Sequence, residues 1–189
     1  MRGNKWERIL RVLLNTKEAL SKNELSKRSE CTRQWVIRFL RVLEKEKLVN
    51  RTKVTDKRKL LEFWINLSKK KNKFRSYMIK EPLELLKKSR LDYALTTYQA
   101  ENIMQHYLFP SRIDIYIREP DLDRWHVLMT KNGLYGKGNV RIIIADPHTM
   151  YGKRNIKGLS IVSLPQLIVD LTKEGGPCEE AAEMLIKNV

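Results

Sequence analysis

The chain is predicted to be α+β in its first third and α/β in the remainder, on three observations. Apolar residues recur at helical spacing, with capping residues between the runs, through about the first 45 positions. Two short strand-like runs around a basic tip follow. From about residue 91, strand-like and helix-like segments alternate, the pattern of an α/β layer architecture. Charge divides the chain in the same sense. Residues 1–80 hold 24 Lys and Arg against 8 Asp and Glu, whereas 81–189 hold 14 of each, so the first part carries the whole net charge of +16. A compact segment with so large a like-charge excess repels itself unless it faces a polyanion. The division predicts a nucleic-acid-binding head and a neutral body.

The bulk composition narrows the classes. At 42% hydrophobic and 32% charged, the 189 residues suffice for one large or two small cores. The wholly apolar runs, such as Ile142-Ile143-Ile144-Ala145, are far below a membrane span. Met1-Arg2-Gly3-Asn4-Lys5-Trp6 has no apolar signal core. The two cysteines, Cys31 and Cys178, make no disulfide framework, and His106, His126 and His148 are scattered. A cytoplasmic location with no membrane, structural metal or cofactor is expected.

In the head, Trp6, Ile9, Leu10, Leu13 and Leu14 fall at i, i+3, i+4, i+7 and i+8 of a first amphipathic helix. Ser21-Lys22-Asn23-Glu24 is a capping box for a short helix from Lys22 to about Ser29, with Leu25 inward. After a break at Glu30-Cys31, Thr32 is the N-cap of a third helix that buries Trp35, Val36, Phe39, Leu40 and Leu43. Its other face shows Arg33, Gln34, Arg38 and Arg41. Leu48–Thr52 and Leu61–Ile65 read as strands flanking the polar tip Thr55-Asp56-Lys57-Arg58-Lys59. Trp6, Trp35 and Trp64 are read as core.

Helix, short helix, longer helix and basic-tipped hairpin together resemble the winged helix-turn-helix family over about residues 4–67. The resemblance implies that the third helix enters the major groove of double-stranded DNA while the wing lies along the backbone. Thr32, Arg33, Gln34, Arg38 and Arg41 are then the recognition-helix residues. Arginine suits guanine O6/N7 and glutamine suits adenine N6/N7. Arg51, Lys53, Lys57, Arg58 and Lys59 would grip phosphate without reading sequence. Residues 68–90 are expected to be a basic linker and connecting helix. Its cations, Lys69, Lys70 and Lys71 among them, either extend the phosphate footprint or simply open a solvated helix. Pro82 marks the first turn of a helix whose leucines suit either the second core or a dimer seam.

In the body, 91–189, strands are expected at 93–96, 112–117, 140–145 and 161–163, with helices over 97–107, 120–131, from Leu164 to the Gly175-Gly176 stop, and from Pro177. Tyr93-Ala94-Leu95-Thr96-Thr97-Tyr98-Gln99-Ala100 is similar to the opening of AbiEi-type antitoxin and regulator proteins. Ser163-Leu164-Pro165-Gln166-Leu167-Ile168-Val169-Asp170-Leu171, with Gly175-Gly176-Pro177 and Glu180-Ala181-Ala182, resembles their C-terminal segment. The resemblance implies a winged helix joined to a nucleotidyltransferase-like domain, autorepression of an operon, and a cognate toxin among the candidate partners.

Active nucleotidyltransferases need a Gly-Ser turn and paired carboxylates for Mg²⁺. Here Asp114 stands alone in Arg112-Ile113-Asp114-Ile115-Tyr116 and no Gly-Ser precedes it. Asp121 and Asp123 have i, i+2 spacing but open a helix, where they suit its dipole. The body is therefore expected to be non-catalytic. Asn132–Asn139 holds three glycines and Lys137 without Walker spacing, so it reads as a turn first and a phosphate cradle second. The functional expectation is a homodimeric, sequence-specific transcriptional regulator. The alternatives are a non-specific or replication-associated DNA binder and a metal-dependent nucleotidyltransferase.

Overall fold

The computed structural model describes residues 5–68 and 72–187. The chain is mixed α/β and divides into two compact units, 1–69 with 185–189 and 70–184. No helix of the described residues is long and apolar enough to cross a membrane.

The first unit opens with α1 (Lys5–Asn15), α2 (Lys22–Arg28) and α3 (Arg33–Lys45), close to the predicted bounds. The caps act as their residue types require. The Ser21 hydroxyl accepts the Glu24 N–H at 3.1 Å and Thr32 accepts that of Trp35 at 3.4 Å. The return half of the capping box is diverted, because the Glu24 carboxylate takes Arg28 at 2.6 Å instead. A hairpin follows, β1 (Val49–Asn50) and β2 (Lys53–Val54), paired antiparallel in register Val49↔Val54. Arg51 turns it at a left-handed φ of 58°.

The expected second wing strand at Leu61–Ile65 does not exist. Those residues lie in α4 (Lys57–Leu67), whose N-cap Asp56 accepts the Lys59 N–H at 3.1 Å. The physical reason is spacing. Leu60, Leu61 and Trp64 stand at i, i+1 and i+4, on one helical face that packs on α1 and is fully buried. Burying each such side chain contributes about 1.5–3 kcal/mol, and an extended strand would expose half of them. The wing is thus a two-residue turn, and Lys57, Arg58 and Lys59 form the first turn of a helix.

The second unit is a seven-stranded mixed sheet in the order β6-β3-β7-β5-β4-β9-β8. The strands are β3 (Lys73–Ile79), β4 (Ala94–Thr96), β5 (Ile113–Arg118), β6 (Gly133–Tyr135), β7 (Val140–Ala145), β8 (Arg154–Ile156) and β9 (Leu159–Ile161). β5 runs parallel to β7 and β4 parallel to β9; the other pairs are antiparallel. Its helices are α5 (Pro82–Lys88), α6 (Thr97–Gln105), α7 (Leu122–Lys131), α8 (Leu164–Glu174) and, as far as Met184, α9 (Pro177–Ile186). Register fixes the faces. Phe74, Ile143, Arg141, Asp114, Tyr116 and Thr96 share the face covered by α6 and α8. Tyr77 lies on the other, where its hydroxyl meets His126 of α7 at 2.9 Å.

β3 is a correction to the expected linker: alternation hidden among its cations (Tyr77 and Ile79 buried, Phe74 and Met78 exposed) makes it an inner strand. β6 and β8 were also unforeseen. Gly133 and Gly138 serve this packing, since a Cβ on either would clash with the carbonyl oxygen of Met78 or Tyr77 on β3.

Candidate nucleic-acid interface

α3 buries Val36, Phe39, Leu40 and Leu43. At 3.6 residues per turn, the line directly opposite runs through Gln34, Arg38, Arg41 and Lys45, at i, i+4, i+7 and i+11. All four are exposed, as are Thr32 and Arg33 at the N-terminal end. Arg33 sits on the flank of this row rather than in it. Lys45 completes the row and was missed, because its place becomes visible only once the helix is known to continue to residue 45. Among the described residues, none gives the side chains of Arg33, Gln34, Arg38, Arg41 or Lys45 a hydrogen bond or an ion pair. Trp35, expected in the core, is 38% exposed with the Lys5 ammonium 5.5 Å from its ring centre. It stands at the edge of the apolar arc of α3, whereas Trp64 lies inside that of α4, at 1%.

The expected phosphate-gripping residues are differently held. Arg51 occupies the hairpin turn, its N–H donated to Glu44 at 3.1 Å, and Lys53 begins β2. Arg58 is paired with Glu62 at 3.2 Å and Lys59 approaches Asp56 at 3.9 Å, both on exposed surface where such pairs add little. Three cations in the first turn oppose the dipole of α4, a cost of several tenths of a kcal/mol each that a bound anion would relieve. Lys69, Lys70 and Lys71 lie outside the described residues.

In the body, Asp114 is wholly buried and fully engaged. Arg112 donates to it from Nε at 2.7 Å and Nη2 at 3.0 Å, and Arg141 from Nε and Nη2, both at 2.9 Å. Thr97 adds its hydroxyl at 2.5 Å. Glu174 bridges the same arginines at 2.6 and 3.0 Å. Burial alone would push the Glu174 carboxyl up, but the hydrogen bonds of Arg112 and Arg141 outweigh it and hold it below the ordinary glutamate value. Thr97 is held at φ 50°, a left-handed conformation worth about 1–3 kcal/mol of strain in a β-branched residue. Beside this cluster, buried Asp170 accepts from Thr96 at 2.6 Å, Gln166 at 2.8 Å and Tyr116 at 3.0 Å. Desolvation still raises its carboxyl above the ordinary aspartate value. Asp121 is tied to Arg118 at 2.9 Å, and Asp123 is exposed in the first turn of α7. No three His, Cys, Asp or Glu side chains of the described residues group as metal ligands.

In comparisons with known proteins, no family model, curated protein or solved structure matches the chain.

Proposed function

We propose that this protein is a sequence-specific, double-stranded DNA-binding transcriptional regulator. Its head acts as a winged helix-turn-helix and its body as a non-catalytic, nucleotidyltransferase-like domain of the AbiEi antitoxin type. The observation that carries the reading is the row Gln34, Arg38, Arg41 and Lys45. These are long donors, on the face of α3 opposite the core, with no carboxylate of the described residues to satisfy them. Such a row can meet base edges along a major groove. The cations at the N-terminus of α4 and on the hairpin favour phosphate contacts beside it. Asp114, the carboxylate that a nucleotidyltransferase would offer to metal, is taken up by two arginines and a threonine, which favours the non-catalytic reading over the enzymatic one.

The regulator works as a cytoplasmic homodimer, because one small head covers few base pairs and two symmetric heads read a palindrome. A cognate toxin is the protein partner that the AbiEi resemblance suggests. The test is a titration of full-length protein on its own promoter fragment and on scrambled duplex of equal length. Preference for the promoter by about 10³ or more is expected of a specific regulator. Equal affinity would instead establish the non-specific binder, in which the α4 cations alone do the holding.

A further inference from the structure

On the sheet face under α8 lies a cavity of about 360 Å³. That is within the range of small-molecule sites. Its apolar side is made by Phe74, Tyr116 and Ile143, and its polar side by Thr97, Arg141, Lys173 and Glu174, with Asn72 and Asp170 completing the lining. Three features set it apart from a structural ion pair with a gap beside it. The Phe74 ring is 56% exposed in the opening, with the Arg141 guanidinium 5.4 Å from its centre. Thr97, on the wall, is held in a left-handed backbone conformation. Finally, each guanidinium gives Glu174 only its Nη2, at 2.6 and 3.0 Å, while its Nε–Nη2 fork lies on Asp114. Glu174 is the last residue of α8, and Gly175 and Gly176 turn the chain directly after it at positive φ (80° and 57°).

We propose that this cavity binds a small aromatic carboxylate, whose carboxylate takes the place of Glu174 on Arg112 and Arg141 and whose ring lies against Phe74. Asp114 remains on the inner sides of both guanidiniums and keeps them aligned, so the site is preorganised for a planar, two-oxygen acceptor. Lys173 at the rim adds attraction for the anion. Nucleoside triphosphates are disfavoured: the cavity is small for them, and both oxygens of Asp114 already accept from the arginines. The inference stands apart from the DNA-binding reading, since its readout is ligand binding by the full chain.

The probe is benzoate, followed by calorimetry and by NMR of residues around Phe74 and Ile143. A ligand of its size should bind with a Kd of about 1 mM. Glu174→Gln weakens the internal competitor and is expected to tighten benzoate about tenfold, because apparent affinity scales with the fraction of open site. Phe74→Ala, a change at an exposed position, should weaken it several-fold through loss of ring contact. Cyclohexanecarboxylate and phenyl phosphate should bind more weakly than benzoate. No saturable binding to either the wild type or Glu174→Gln would overturn the proposal, and so would benzoate affinity left unchanged or reduced by Glu174→Gln. Tighter binding of phenyl phosphate than of benzoate would overturn the carboxylate assignment.

Discussion

On α3, Arg38 and Arg41 stand in solvent with no acidic partner among the described residues, while in the body Arg112 and Arg141 turn onto Asp114 and Glu174 and are largely covered. The same side chain therefore has two uses in one chain. In the body, two arginines and two carboxylates nearly cancel, and the network specifies how β5, β7 and α8 meet. On α3, Arg38 and Arg41 have no such internal role, so folding of the head does not require them. What they are available for is an external anion. A count of charges treats these arginines alike; what separates them is whether a carboxylate is within reach.

The comparison breaks most sharply at Asp114. Replacing it by alanine leaves two partly buried guanidiniums with Glu174 alone, and should destabilise the body by about 3–5 kcal/mol, read as a lowered thermal midpoint. Alanine at Arg38 or Arg41 should leave that midpoint within about 0.5 kcal/mol of wild type. If the α3 changes destabilise as much as the Asp114 change, the contrast between the two sets is wrong.

Next in size is the effect on DNA. Gln34→Ala or Arg38→Ala should each lose about 1–3 kcal/mol of discrimination between cognate and altered sites, measured by competition binding. Lys57→Ala or Arg58→Ala should weaken every duplex alike. If a dimer contacts about eight phosphates, its log K against log salt slope lies near −7, and each such change makes it shallower by about 1. A wild-type slope shallower than about −2 would show that the basic head is not the binding surface.

A smaller effect tests the interior of the body. The Asp170 carboxyl is raised by burial in spite of its three donors and the charge of Lys173, so the native state holds a proton that the unfolded chain gives up near pH 3.9. Its contribution to stability is therefore present at low pH and is lost as pH rises from that value through the raised native one. Asp170→Asn should flatten this loss in denaturant titrations run across the acid-to-neutral range. Identical pH profiles for the two proteins would count against it.

Much of the head was legible because its signals are local. Ser21 and Thr32 cap where their side chains accept the N–H three residues on, and helix periodicity places Leu25, Phe39 and Leu43 inward. The wing was misread for an equally local reason. Leu61-Glu62-Phe63-Trp64-Ile65 is β-branched and aromatic enough to suggest a strand, yet Asp56 caps a helix and α1 offers a surface for Leu60, Leu61 and Trp64. Strand β3 was hidden because Lys73 and Arg75 dominate its composition, and its place between β6 and β7 is set by pairing with residues about 60 positions away. The body's arginine cluster depends on the same distant contacts. Arg112 and Asp114 are two residues apart, but Arg141 and Glu174 reach them only through the fold.

The most direct test compares wild type with a Gln34→Ala/Arg38→Ala double variant, titrated on the promoter fragment and on scrambled duplex at one salt concentration. The expected result is a promoter preference of about 10³ in the wild type that falls at least thirtyfold in the variant, while affinity for scrambled duplex changes far less. An unchanged preference in a folded variant would contradict base reading by α3.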